Sequence, residues 1–174
     1  ASGAVPVVRL DHIFRQAQGS LIVTNAHRIN QGDFPELCSL TSGNTGDFYF
    51  HEEDDPEGVG HAVVSLVTTD LPHRFGLDPF TDIQVISPMH RGAMGAAQLN
   101  LSLQAALNAE KRSLILGGRN YKKGDKVMQI RNNYDKEVYN GDIGRIEMID
   151  YENQAVSVRF DDRVVAYEYA QMDE

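Results

Sequence analysis

GDKVMQIRNNYDKEVYNGDIGRI, residues 124–146, decides how the C-terminal third of this 174-residue chain is read. Alternation in residues 126–131 puts Val127, Gln129 and Arg131 on one face and Lys126, Met128 and Ile130 on the other, as in a half-buried strand. Asn132, Asn133 and Asp135 then interrupt it. Asn140-Gly141-Asp142 marks a turn, because Gly supplies positive φ and Asn or Asp bonds the local backbone, and residues 143–150 restart a strand. Two further strands, residues 155–161 and 164–169, are set off by turns at Glu152-Asn153 and Asp161-Asp162. Short strands at this spacing predict a small barrel, SH3-like or OB-like. Tyr134 and Tyr139 stand near Arg131, Lys136 and Arg145 in sequence, an arrangement that either stacks nucleotides or closes a barrel with its rings.

Immediately before the barrel, residues 110–123 carry Lys111, Arg112, Gly117-Gly118, Arg119, Lys122 and Lys123 and read as a linker, with a domain boundary near Ser113. Further upstream, residues 82–88 (DIQVISP) have the continuous apolar centre of a strand in a parallel sheet covered on both faces. A turn at Met89-His90-Arg91-Gly92 and a helix over residues 93–108 complete a βα unit. Ligands of such sheets gather at the carboxyl ends of strands, which singles out that turn. Asp55 as N-cap and Pro56 at the first position open an earlier helix with Val59, Val63, Leu66, Val67 and Leu71 on its apolar face. Residues 48–51 read as a brief strand, residues 35–47 as a loop, and residues 5–10 as a strand with Pro6 near its start. Between them a helix over residues 20–30 shows Leu21, Ile22, Ala26 and Ile29 at helical spacing, with Ser20 as N-cap and Gly32 as its stop.

A 41% hydrophobic chain of this length can bury one sizeable core or two small ones. It has no run of roughly 18 apolar residues and no charged-then-apolar leader, so a cytoplasmic location without membrane contact is expected. Cys38 is the lone cysteine, which excludes an internal disulfide and reads as a buried spectator. A formal charge of −9 argues against a simple nucleic-acid coat protein. The charge is uneven: residues 33–82 hold eleven acids against one base, and residues 111–145 nine bases against four acids, so the chain is either electrically two-sided or carries two ordinary solvated faces. His51 with Glu52, Glu53 and Asp54 is an acidic helix start favoured by the helix dipole, and no metal site is expected.

The phrase RNNY…YNGDIGRI, following SPMHRG, resembles helicases of the RecD/TraA type, the exodeoxyribonuclease V alpha-chain relatives in superfamily one. Phe14-Arg15 followed by residues 20–30 resembles motif IV of those enzymes, and Ser87 to Gly92 with Leu99-Asn100 resembles motif IVa. The resemblance implies an α/β fold, namely a partial RecA-like parallel sheet with helices over residues 1–112, followed by a small SH3-like β-barrel over residues 113–174. It implies that Arg15 contacts the γ-phosphate of ATP across the cleft between two motor domains, a task suited to a permanently charged fork of donors. Asn25, Arg28, Ser87, His90, Arg91, Asn100, Arg131 and Asn132 are the implied contacts to single-stranded DNA. ATP and Mg2+ are the implied cofactors of the intact 5′-to-3′ enzyme in DNA repair or recombination. Its implied partners are the N-terminal RecA-like domain of the same polypeptide and further nuclease or helicase subunits.

The chain itself has no GxxxxGK[ST] loop and no Asp-Glu pair after a buried strand, and Ala1 to Gly3 reads as a cut inside something longer. No cofactor and no hydrolysis are expected of this stretch alone. A rival reading is a non-catalytic module, an SH3-like barrel plus an α/β platform that binds proteins, and the acidic stretch before Asp82 favours it.

Overall fold

Helix α1, Leu21–Gln31, forms where the sequence predicts it: the Ser20 hydroxyl accepts from the Val23 amide, and Gly32, left-handed, closes the C-terminus onto Arg28 and Ile29 carbonyls. The computed structural model describes residues 20–39 and 46–173, and the chain divides into two compact units, residues 1–53 and 54–174. The strand expected at residues 5–10 and Arg15 lie outside the described residues. In the first unit, Asp47 reinforces the start of α1 by accepting from the Ser20 hydroxyl and, at 2.9 Å, from the Leu21 amide. The Ser20 hydroxyl, followed by backbone amides such as that of Leu21, holds the Asp47 carboxyl below the ordinary carboxylate value. The brief strand expected at residues 48–51 reduces to a single parallel bridge between Ser39 and Phe50.

The second unit begins with α2, Pro56–Ser65, whose N-cap Asp55 accepts from the Gly58 amide at 3.1 Å. It runs on through a π-helical turn, Leu66–Asp70, into α3, Leu71–Phe75. One continuous rod results, packed against α4, Ala96–Leu107, with Val67 and Leu99 buried. The strand expected at residues 82–88 is absent. That segment is extended but pairs with no strand among the described residues, and Ile86 is 88% exposed. A strand needs a neighbour to take up its ladder hydrogen bonds, so an apolar run alone does not make one.

Beyond α4, the stretch read as a linker is a hairpin. Strand β1, Ser113–Leu116, pairs antiparallel with β2, Arg119–Lys122, around Gly117 and Gly118, both at positive φ (56° and 76°). Two such residues in succession give the tight turn whose twist matches a hairpin. A four-stranded antiparallel sheet follows in the order β3 (Lys126–Met128), β4 (Ile143–Asp150), β5 (Ala155–Phe160), β6 (Arg163–Glu168), with a bulge in β4 between Ile146 and Met148. Burial alternates along β5, β6 and the part of β4 before its bulge, and Val138, Ile146, Val156, Val158, Phe160, Val165 and Tyr167 form the core with Leu114 of β1. Small antiparallel sheets around one core fit an SH3-like region. Gln129 is the polar member of that interior: its Oε1 accepts from the Tyr167 hydroxyl at 2.8 Å and its Nε2 donates to the Arg131 carbonyl at 2.9 Å.

Gly144 on β4 is where this packing is tightest. A Cβ there would stand 2.6 Å from Val158 Cγ1, 2.9 Å from the Arg159 carbonyl oxygen and 2.9 Å from Phe160 Cδ1. Gly144→Ala is therefore expected to destabilise the chain by about 2 kcal/mol, read as a lower urea midpoint at unchanged slope. An unaltered midpoint would mean that β4 and β5 are less closely apposed.

Candidate nucleic-acid interface

The loop that links α3 to α4 is built before it is exposed. Asp78 turns the chain first: its Oδ1 accepts from the amides of Phe80 (2.8 Å) and Thr81 (2.9 Å), and its own amide donates to Asp82 Oδ2 at 2.8 Å. The Thr81 and Phe80 amides hold the Asp78 carboxyl below its ordinary value, and Arg145 adds a smaller attraction. Ser87 then folds the next turn, its hydroxyl lying 2.8 Å from the Met94 carbonyl and 3.1 Å from that of Met89 while accepting from the Met89 amide at 3.2 Å. The Met89 and His90 carbonyls accept from the amides of Ala96 (2.9 Å) and Ala97 (3.3 Å). The first donors of α4 are thus taken up by the loop itself. What it presents to solvent is His90 and Arg91, with Asn100 exposed on α4. Arg91 is the only Asp, Glu, Lys or Arg residue between Asp82 and Glu110. An isolated cation with no acid near it in sequence suits a phosphate oxygen.

The remaining sequence-predicted residues within the described part have partners in the chain itself. In the first unit, Asn25 is 1% exposed; its Oδ1 accepts from the Glu36 amide at 2.7 Å and its Nδ2 donates to the Glu36 carbonyl at 2.9 Å. Arg28 donates from Nε to the Phe34 carbonyl at 2.7 Å and lies 3.5 Å from the Glu36 carboxylate. Together they fold residues 33–38 back onto α1. On the barrel, Arg131 pairs with Asp173 at 3.4 Å with both side chains well exposed, a contact worth little by itself. Asn132 accepts from the Asn140 amide at 2.9 Å and donates to the Tyr134 hydroxyl at 3.3 Å. Ser87, His90, Arg91 and Asn100 therefore share one loop and helix start, while Arg131 and Asn132 lie on the barrel hairpin. Cys38 is half-buried.

Sequence reasoning missed the joint between that helix and the barrel. The Asp125 side chain accepts from Gln104 Nε2 (2.5 Å), Asn108 Nδ2 (2.6 Å) and the Lys122 amide (2.7 Å), while its residue is only 9% exposed. Gln104 on α4 and Asn108 at its C-cap stand four residues apart and share one side of the helix end, but nothing in the sequence says that Asp125 meets them. Beside it, Lys126 donates to the Ile83 carbonyl at 2.9 Å and the Arg145 guanidinium lies 4.5 Å from the Phe80 ring centre. Burial pushes the Lys126 ammonium down from its ordinary value, and Asp78 pulls the other way. An open cleft of about 580 Å3 lies alongside, with Phe80, Asn108, Lys111, Lys123 and Arg145 on its walls. Its cations stand at the C-terminal end of α4, where they offset the negative end of the helix dipole.

Two comparisons with known proteins agree with this geometry. Residues 99–160 match the family model of the SH3 domain of ATP-dependent RecD-like DNA helicases, beginning inside α4 and ending with β5. The ATP-dependent RecD2 DNA helicase of Deinococcus radiodurans is 29% identical over 162 residues, 93% of this chain and 20% of that relative. The chain spans about a fifth of the relative's length. The likeness to RecD-type helicases expected from residues 87–146 is borne out.

Proposed function

From that likeness, we propose that the chain is a segment of an ATP-dependent DNA helicase of the RecD type. Residues 1–112 are then part of a RecA-like motor domain and residues 113–174 its SH3-like barrel. The observation that carries the reading is the family match at residues 99–160 set directly behind an acid-free loop that exposes Arg91. His90, Arg91 and Asn100 are the side chains presented to a single strand of DNA. Ser87 holds their loop, Asn25 and Arg28 hold the segment after α1, and Arg131 and Asn132 extend the surface onto the barrel hairpin.

ATP and Mg2+ serve the intact polypeptide in this reading. The described residues do not fit either group: the sequence lacks a GxxxxGK[ST] loop, and no three His, Cys, Asp or Glu side chains among the described residues are grouped to hold a metal. No step of nucleotide chemistry is assigned to them. Arg15 is the γ-phosphate contact proposed for the intact enzyme. Translocation from 5′ to 3′, work in repair or recombination, association with nuclease or helicase subunits and a cytoplasmic location belong to the same proposal; no described helix is long and apolar enough to cross a membrane.

The test is fluorescence anisotropy of a labelled single-stranded oligonucleotide and of a duplex of equal length over a range of salt. Preference for the single strand is expected, with Arg91→Ala weakening it and reducing the slope of log affinity against log salt by about 0.7. An unchanged slope would remove Arg91 from the phosphate contacts.

A further inference from the structure

The ladder between β3 and β4 sets Lys126 directly opposite Arg145. Like charges facing each other across a ladder repel, so the barrel by itself gives no reason for the pair. The reason lies in the segment that leads to Arg91. Lys126 Nζ donates to the Ile83 carbonyl at 2.9 Å, and the Arg145 guanidinium lies 4.5 Å from the Phe80 ring centre. The Asp78 carboxylate, in the turn just before, attracts both cations. Arg145 is steadied from behind as its Nε donates to the Gly124 carbonyl at 3.0 Å.

Residues 83–87 then run extended to Ser87 and pair with no strand among the described residues. A stretch without a ladder takes its position from its two ends. One end is the barrel contact at Phe80 and Ile83. The other is the turn that Ser87 and the amides of Ala96 and Ala97 fasten to the start of α4. Four peptide steps reach at most about 14 Å, so the segment has little slack and a displaced Ile83 displaces the turn. The twelve residues of α4 run back about 18 Å to the Asp125 joint, closing a ring of strap, helix and barrel.

We propose that Lys126 and Arg145 are positioning residues for the single-strand contact: through Ile83 and Phe80 they hold the turn at residues 87–92 where His90 and Arg91 meet DNA. This role rests on the reading of Arg91 as a phosphate contact. Neither cation has to touch the strand. They raise the fraction of chains whose turn is in place, and apparent affinity scales with that fraction.

The test combines anisotropy of a labelled oligothymidylate over a range of salt with amide spectra of the 15N-labelled chain free of oligonucleotide. Lys126→Met keeps the stem and loses the donor. Affinity is expected to fall about fivefold at an unchanged slope of log affinity against log salt, because the same phosphates are neutralised once the strand is bound. The signals of residues 83–92 move while those of β5 and β6 stay. Lys126→Arg, which restores a charged donor, recovers most of the affinity. Phe80→Leu removes no cation and is expected to weaken binding about threefold. A slope reduced by about 0.7 in Lys126→Met would make Lys126 a phosphate contact and overturn the proposal, as would unchanged affinity or unmoved signals at residues 83–92. In each of those cases the unaltered chain still binds the strand and Arg91→Ala still weakens it. An unaltered chain without affinity for the oligothymidylate overturns the single-strand reading itself, and this role with it.

Discussion

Asp125→Ala is expected to lower the stability of the chain by about 3 to 4 kcal/mol, more than any single exposed charge could. The substitution removes the shared acceptor of three donors. The Lys122 amide is left without that partner in a place nearly closed to water, and the Gln104 and Asn108 amides keep only their weaker bonds to the Asn120 and Lys123 carbonyls. Charge-assisted bonds are worth roughly twice a neutral one, and an orphaned buried donor costs its full desolvation. Asp125→Asn retains the shape but turns a donor towards other donors, so it recovers less than half of the loss. Urea unfolding followed by far-ultraviolet circular dichroism measures both; a loss below about 1 kcal/mol for the alanine variant would show that Asp125 is a spectator.

The same joint bears on the division at residue 113. Hydrogen bonds from Gln104 and Asn108 reach across it, and the family match begins inside α4, so helix and barrel hang together. Residue 113 stays a proposal for where one kind of sequence gives way to the other, not for where the chain comes apart.

What the sequence made legible follows from which interactions are local. The strands of the barrel were found from short runs set between turn residues at Asn140-Gly141, Glu152-Asn153 and Asp161-Asp162, signals that are local; the bulge in β4, which breaks its period of two after Ile146, is not. The caps at Ser20, Gly32 and Asp55 lie within four residues of the groups they satisfy. Strands β1 and β2 were hidden because Arg119, Lys122 and the glycines give them the composition of a linker; their strand character comes from pairing with each other and from Leu114 reaching the barrel core. Residues 82–88 failed in the opposite direction, an apolar run without a strand beside it. Asp125 was out of reach for a related reason: its three donors come from α4 and from β2, and only the fold makes them converge. The site residues divide the same way, since nothing local to Asn25 announces that Glu36 will occupy both of its amide groups.

Gly95→Ala should weaken single-strand binding as much as removal of the Arg91 side chain does, while leaving the barrel folded. A Cβ at residue 95 would fall 2.5 Å from the Arg91 carbonyl carbon, 2.6 Å from its oxygen and 2.7 Å from its nitrogen. All three are backbone atoms, so no side chain can swing aside to make room. The conflict is resolved only if the turn at residues 89–95 opens, and opening it gives up the bonds from Ala96 and Ala97 to the Met89 and His90 carbonyls and from the Ser87 hydroxyl to the Met94 carbonyl. Overpacking of this kind costs about 3 kcal/mol locally. The far side of α4 is held by Asp125, which the substitution does not touch, so the barrel signals in an NMR spectrum should stay in place while those of residues 87–97 move. The variant keeps Arg91 itself, which makes it the sharper test: an arginine that binds merely by being a surface cation would lose nothing, and undiminished affinity would sink the idea of a preformed loop. Lost affinity with an intact barrel would mean that the loop geometry, set by one missing methyl group, presents the arginine.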